Sequence, residues 1–97
     1  MYYYVYKTTN AINNKFYIGV HKHFTPYDKS YLGSGITLKR AITKHGIENF
    51  HKEILAYHGT HDEAYKHEEL LVTYEVINLE LCYNMVIGGK GGQRGLP

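Results

Sequence analysis

The sequence predicts an α+β domain whose elements run strand, strand, helix, strand, helix. Three observations carry this. Residues 2–23 are rich in β-branched and aromatic side chains on either side of a polar turn. Residues 36–45 place apolar side chains at helical spacing and stop at a glycine. Thr60, followed three residues later by Glu63, opens a second and longer helix. The chain has 97 residues, enough for one domain around one modest core.

The hairpin comes first. Val5, Phe16, Ile18 and Val20, with the tyrosines around them, suit a pleated surface. Asn10 to Lys15 supplies the turn, and Asn13 and Asn14 are the residues best able to take a positive φ. Phe24 to Gly35 reads as loop, because it holds Pro26, Asp28, Ser30, Gly33, Ser34 and Gly35. A helix over Ile36–His45 then presents Ile36, Leu38, Ala41 and Ile42 on one face, with Gly46 as its stop. Glycines ahead of a helix N-terminus bring backbone N–H groups and the helix dipole toward an anion, so Gly33-Ser34-Gly35 is a candidate phosphate turn and otherwise an ordinary one.

His51–His58 reads as the third strand, with Ile54 and Leu55 in the core. Gly59 ends it. The second helix is expected from Asp62 to about Asn78, with Ala64, Leu71, Val72 and Glu75 sharing a face with Glu68. A carboxylate on a mostly apolar face needs a partner such as a metal ion, a cation or a tyrosine hydroxyl, because burying it unpaired is costly; otherwise Glu68 sits at the solvent border. Cys82–Ile87 adds a short strand or extended segment. The chain divides into a folded domain over residues 1–87 and a Gly-rich basic tail over 88–97, read as a linker.

Charge is distributed unevenly. Residues 1–52 hold eight Lys and Arg against Asp28 and Glu48, whereas residues 53–97 hold three against seven acids. A basic, tyrosine-rich half suits a phosphate backbone, and equally a solvated face. The chain contains no run of about 18 apolar residues and no basic region leading into an apolar segment, so neither a membrane span nor a signal peptide is expected. Cys82 is the only cysteine, so no intrachain disulfide forms, which suits a reducing cytoplasm. Seven histidines invite zinc, but His21 and His23, or His58, His61 and His67, match no familiar ligand spacing. Cys82 in an apolar strand reads as a core thiol rather than a nucleophile. A metal-assisted phosphodiesterase needs a carboxylate for Mg²⁺, cations around the phosphate and a group that takes a proton from water. Glu68, the basic half, Tyr6 and Tyr17 offer those parts. A tyrosine serves as a base only where cations or a metal lower its pKa, and Lys22 and His21 are candidates for doing so.

Tyr4-Val5-Tyr6, a ten-residue gap and then Tyr17-Ile18-Gly19 resemble the signature of the GIY-YIG nuclease superfamily, with Tyr4 in place of glycine and Val5 in place of isoleucine. Lys44–Gly46 (KHG), Asn49-Phe50, an acidic helix and Tyr83-Asn84 extend the resemblance over nearly the whole chain. YIGVHK, YLGSG and KRAI resemble the catalytic domain of phage- and intron-encoded homing endonucleases. The resemblance implies a small three-stranded antiparallel sheet flanked by helices. It implies a DNA endonuclease, dependent on one Mg²⁺ or Mn²⁺ ion, that hydrolyses phosphodiester bonds and meets DNA chiefly through backbone phosphates. It also implies a cytoplasmic location in a bacterial host; the oligomeric state stays open, with a monomer preferred.

By the same resemblance, Tyr6 is the general base or the orienter of water, Tyr17 shapes the phosphate site, Gly19 permits close backbone approach and Asn84 ties the site together. The metal glutamate maps to Glu68 by helical face and to Glu69 by counting back from Tyr83-Asn84. The family arginine has no counterpart in residues 20–39. His21 is the favoured substitute and Lys22 the second, with His23, Lys29 and Arg40 as further cations. Alternatives are a catalytically weak DNA-binding module of the same fold, or a restriction or repair nuclease.

Overall fold

The computed structural model describes residues 1–89. Strand β1 (Tyr2–Asn10) lies in the middle of a three-stranded sheet, with β2 (Phe16–His23) on one side and β3 (Phe50–His58) on the other. Both pairings are antiparallel. The class and the sheet are therefore those expected. The hairpin turn closes through Asn14, at φ 65°, whose amide donates to the Asn10 carbonyl at 2.7 Å.

Helix α1 (Ile36–His45) buries Leu38 and Ala41 and leaves Ile36 exposed. Gly46 ends it at φ 94°, a conformation that side-chain-bearing residues avoid, and one 3₁₀ turn (Ile47–Asn49) leads into β3. In β3 Phe50, Lys52 and Ile54 share the face of their β1 partners Asn10, Thr8 and Tyr6, Ala56 pairs with Val5 on the other face, and Leu55 is 40% exposed. Leu55 was expected in the core. A register shift opposite Val5 and Tyr6, where Val5 pairs with Ala56 and Tyr6 with Ile54, leaves Leu55 as the extra residue of a bulge.

Helix α2 spans His61–Leu71, capped by Thr60, whose hydroxyl accepts from the Glu63 amide at 3.1 Å. It is shorter than the helix expected over 62–78. Thr73 caps a new short helix, α3 (Tyr74–Ile77), by accepting from the Val76 amide, and this local bond competes with helix continuation. The break turns Glu75 out to solvent, whereas Ala64, Glu68 and Val72 stay buried on one face.

Two apolar clusters result. Val5, Ile18, Ala64 and Val72 join the sheet to α2; Leu38, Ala41, Phe50 and Tyr83 join it to α1. The 24–35 loop lies over the Tyr4 and Thr8 side of β1, where the Thr8 hydroxyl donates to the Leu32 carbonyl at 2.6 Å. Past α3 the chain returns in extended form along the outer edge of β2, where the Phe16 amide donates to Leu81 and its carbonyl accepts from Tyr83. Among the described residues no helix is long and apolar enough to cross a membrane. The first two residues of the expected tail, Gly88 and Gly89, are buried against α2; residues 90–97 lie outside the described chain.

Candidate active site

Tyr6 is the residue from which the site is built. It is 1% exposed and pairs across the hairpin with Gly19. A Cβ at Gly19 would fall 2.5 Å from the Tyr6 hydroxyl oxygen and 2.7 Å from its Cζ. What Gly19 admits is therefore the Tyr6 ring, which crosses over β2 to the outer edge of the sheet. There a cavity of ≈ 590 Å³ opens, lined by Tyr6, Tyr17, Gly19, Tyr31, Glu68 and Asn84 among others. The start of α1, with Ser34 and Gly35 before it, forms part of the wall. The turn singled out as a phosphate cradle thus faces the cavity.

Glu68 comes from α2 and is 5% exposed. It is the only carboxylate lining the cavity among the described residues. Its Oε1 accepts one hydrogen bond, from the Gly89 amide at 2.9 Å. Burial raises its pKa, and the Gly89 bond partly offsets this. Glu69, one position on, is exposed. Asn84 is buried with its amide on the backbone of Ile18: Oδ1 accepts from the Ile18 amide at 2.9 Å and Nδ2 donates to its carbonyl at 2.8 Å. Cys82 is half-buried, and burial pushes its thiol up, away from the thiolate a nucleophile needs.

The tyrosines pack as a group. Tyr6 lies 6.3 Å from Tyr17 and edge-on to Tyr4 at 6.1 Å and Tyr31 at 5.8 Å, centroid to centroid. Burial holds the pKa of Tyr6 far above the ordinary tyrosine value, and Tyr31, Tyr17 and the Glu68 carboxylate oppose ionisation further. Burial also raises Tyr17, against hydrogen bonds from Ser34 and the Gly35 backbone, and raises Tyr4. Stability contributed by these groups is intact below about pH 10, the unfolded value, and is lost as pH climbs through the higher folded values. In a titration followed by phenolate absorbance, three tyrosines are expected to stay un-ionised after the exposed ones have titrated, then to ionise together with unfolding. Ionisation of every tyrosine near pH 10 in the folded protein would contradict this burial.

The cations are placed differently from the sequence reading. His21 Nε2 hydrogen-bonds to Asp28 Oδ2 at 2.9 Å, and the imidazole stacks on Tyr31 at 3.7 Å. Asp28 is held below the usual carboxylate range chiefly by that His21 bond. His21 thus supports Tyr31, which lines the cavity, and does not line it itself. His23 also approaches Asp28, at 3.4 Å. Lys22 pairs with Tyr3 and, by strand alternation, projects from the face opposite Tyr6. Arg40 is exposed on α1. No Lys, Arg or His lines the cavity among the described residues.

Sequence reasoning missed Lys52. Its Nζ donates to the carbonyls of Asp28 and Tyr31, both at 2.6 Å, and to the Tyr4 hydroxyl at 3.2 Å. It lies 4.5–5.9 Å from the ring centroids of Tyr4, Tyr6, Tyr27 and Tyr31. Desolvation lowers its pKa. Lys52 therefore clamps the loop that carries Tyr31. The signal was available: with Phe50 facing in, strand alternation puts Lys52 inward as well.

A metal is fitted by what is here. The described residues hold no cluster of three or more His, Cys, Asp or Glu suited to an ion. Glu68 is a buried carboxylate lining a cavity of mixed polar and apolar character, and among the described residues it accepts one amide hydrogen bond. A single carboxylate with waters and a substrate phosphate is a donor set that Mg²⁺ accepts, and a caged site is not needed.

No family model and no solved structure matches the chain significantly. Curated relatives do. The chain is 51% identical over 92 residues to "Putative endonuclease segB" of Enterobacteria phage T4, covering 95% of this chain and 41% of that protein. It is 42% identical over 93 residues to "Endonuclease segA" of the same phage, covering 96% of this chain and 42% of that protein. The chain thus spans about two fifths of the length of the relatives it matches.

Proposed function

We propose that this chain is a DNA endonuclease domain of GIY-YIG type, of the homing kind, that hydrolyses phosphodiester bonds with the help of one divalent ion, Mg²⁺ or Mn²⁺. One observation carries the reading: Tyr6, Tyr17, Glu68 and Asn84, from β1, β2, α2 and the returning segment, meet around one cavity. The likeness to phage proteins named as endonucleases supports it. Glu68 would hold the ion. Bound there, a divalent ion stabilises charge on the phosphate and on the leaving oxygen.

The residues divide the remaining work. Tyr6 stays protonated at neutral pH, so its hydroxyl acts as a hydrogen-bond donor and orienter toward water or phosphate, and it is not a base in the protein alone. Tyr17, with Ser34, Gly35 and the α1 N-terminus, receives a phosphate oxygen. Tyr31, held by Lys52 and His21, closes the wall beside Tyr6. Lys22, His23 and Arg40 lie away from the cavity and contribute charge toward a phosphate backbone at a distance.

Supercoiled plasmid incubated with the protein is expected to be nicked or linearised with Mg²⁺ or Mn²⁺ and left intact with a chelator. A second reading draws on the cavity lining, which has no cation among the described residues. In that reading the domain binds DNA and cuts it poorly. Intact plasmid under every divalent ion, together with salt-sensitive binding, would favour it.

A further inference from the structure

The segment after Asn84 does not leave the domain at once. It crosses the cavity wall with Met85, Val86, Ile87 and Gly88, and ends at Gly89 on helix α2. The Gly88 amide donates to the Val72 carbonyl at 2.8 Å, one of the orphan carbonyls at the end of α2. The next amide, Gly89, donates to Glu68 Oε1. Both residues need to be glycine. A Cβ at Gly88 would fall 2.7 Å from the Glu68 carbonyl oxygen, which is backbone and cannot swing away. Gly89 has φ 91°, where other L-residues are strained, and its Cβ would meet Glu69 Cβ at 3.1 Å.

We propose that Gly88-Gly89 is a strap belonging to the active site, in which the Gly89 N–H is a positioning group that aims the Glu68 carboxylate into the cavity. The inference rests on Glu68 holding the ion. An N–H fixed on one carboxylate oxygen selects the side-chain rotamer and leaves the second oxygen for a cation. Partners of metal ligands act in this way generally, and their loss costs roughly 10–100-fold in metal affinity or activity. Gly88 sets the register of the strap: Gly89 packs against the Glu69 side chain while its amide reaches the Glu68 carboxylate. The domain's functional boundary therefore includes Gly89, two residues beyond the 1–87 boundary drawn from the sequence.

The test removes one hydrogen atom's worth of chemistry. Cys82 is the only cysteine, so residues 82–97 can be supplied as a synthetic peptide ligated to residues 1–81, giving residues 1–97. One version carries glycolic acid at position 89, which replaces the donating N–H by an ester oxygen and keeps the glycine shape. A second carries D-alanine there, which keeps both the N–H and a positive φ. Mn²⁺ binding is read directly by the loss of its free-ion paramagnetic resonance signal, beside thermal stability and plasmid nicking. The ester version is expected to weaken Mn²⁺ binding roughly 10–100-fold, with nicking restored by raising Mn²⁺, while the D-alanine version binds as the all-natural ligated chain does. Equal Mn²⁺ affinity in the ester and natural versions overturns the strap, even if the ester lowers the melting temperature. No Mn²⁺ binding by the natural version overturns the role of Glu68 itself.

Discussion

Glu68→Gln is expected to erase metal-dependent cleavage and to leave the metal-free fold intact or firmer. The loss should be on the order of 10³-fold, because a carboxamide oxygen binds a divalent ion far more weakly than a carboxylate and no second carboxylate lines the cavity among the described residues. The effect on stability has the opposite sign. Burial favours the neutral form of Glu68, so in the metal-free protein the charged form costs free energy at neutral pH. Glutamine still accepts the Gly89 hydrogen bond and carries no charge. The melting temperature of metal-free Glu68→Gln at pH 7 should therefore equal or exceed that of the natural protein, and added Mg²⁺ should stabilise the natural protein alone. Glu69→Gln, changed on an exposed side chain, should cleave normally. If Glu69→Gln is the inactive variant, the metal ligand has been placed one residue too early.

Tyr6→Phe is expected to be the second silent-fold, inactive variant, with a loss of roughly 10²–10⁴-fold in single-turnover nicking. Phenylalanine fills the same space over Gly19, so the packing of the hairpin survives and only the hydroxyl is lost. The pH profile makes the test sharper. With Tyr6 held far above the ordinary tyrosine range, it stays protonated through neutral pH. Any rise of rate with pH near neutrality should then persist in the residual activity of Tyr6→Phe, because it belongs to another group. A rise that vanishes with the hydroxyl would show that DNA and the ion bring the Tyr6 pKa down into that range, making it the base. Undiminished nicking by Tyr6→Phe would remove the hydroxyl from the reaction altogether.

The hairpin, the first helix and the cap of the second were legible because each is written in local chemistry: strand-forming residues around an asparagine turn, an apolar stripe ending in glycine, a Thr-Glu box. Glu68 was legible for a related reason, since a carboxylate among Ala64, Leu71 and Val72 breaks its own pattern. What was not legible depends on tertiary placement. Leu55 reads as core until the bulge opposite Val5 and Tyr6 turns it out. The long helix reads as continuous until Thr73 finds the Val76 amide. His21 looked like a cation free for phosphate, and Asp28, seven residues away on a loop without periodicity, engages it. Lys52 passed unnoticed because its four tyrosine neighbours come from β1 and from the loop, far from it in the chain. Gly88 and Gly89 looked like the start of a spacer for the same reason. Glycine runs do serve as spacers, and the contact of the Gly89 amide with Glu68 depends on tertiary placement that the glycines themselves do not signal.

The side chain of Asn84 also bears on how this small sheet stays a sheet of three. An outermost strand offers a free row of amides and carbonyls that can template addition of a foreign strand. At Ile18 that row is filled by one carboxamide, which donates and accepts as a neighbouring peptide group would. Two residues earlier, Phe16 is filled by Leu81 and Tyr83. The residue that braces the cavity is thus also a molecular stopper. It fills with a single side chain the hydrogen-bonding groups of Ile18 that a fourth strand would otherwise use.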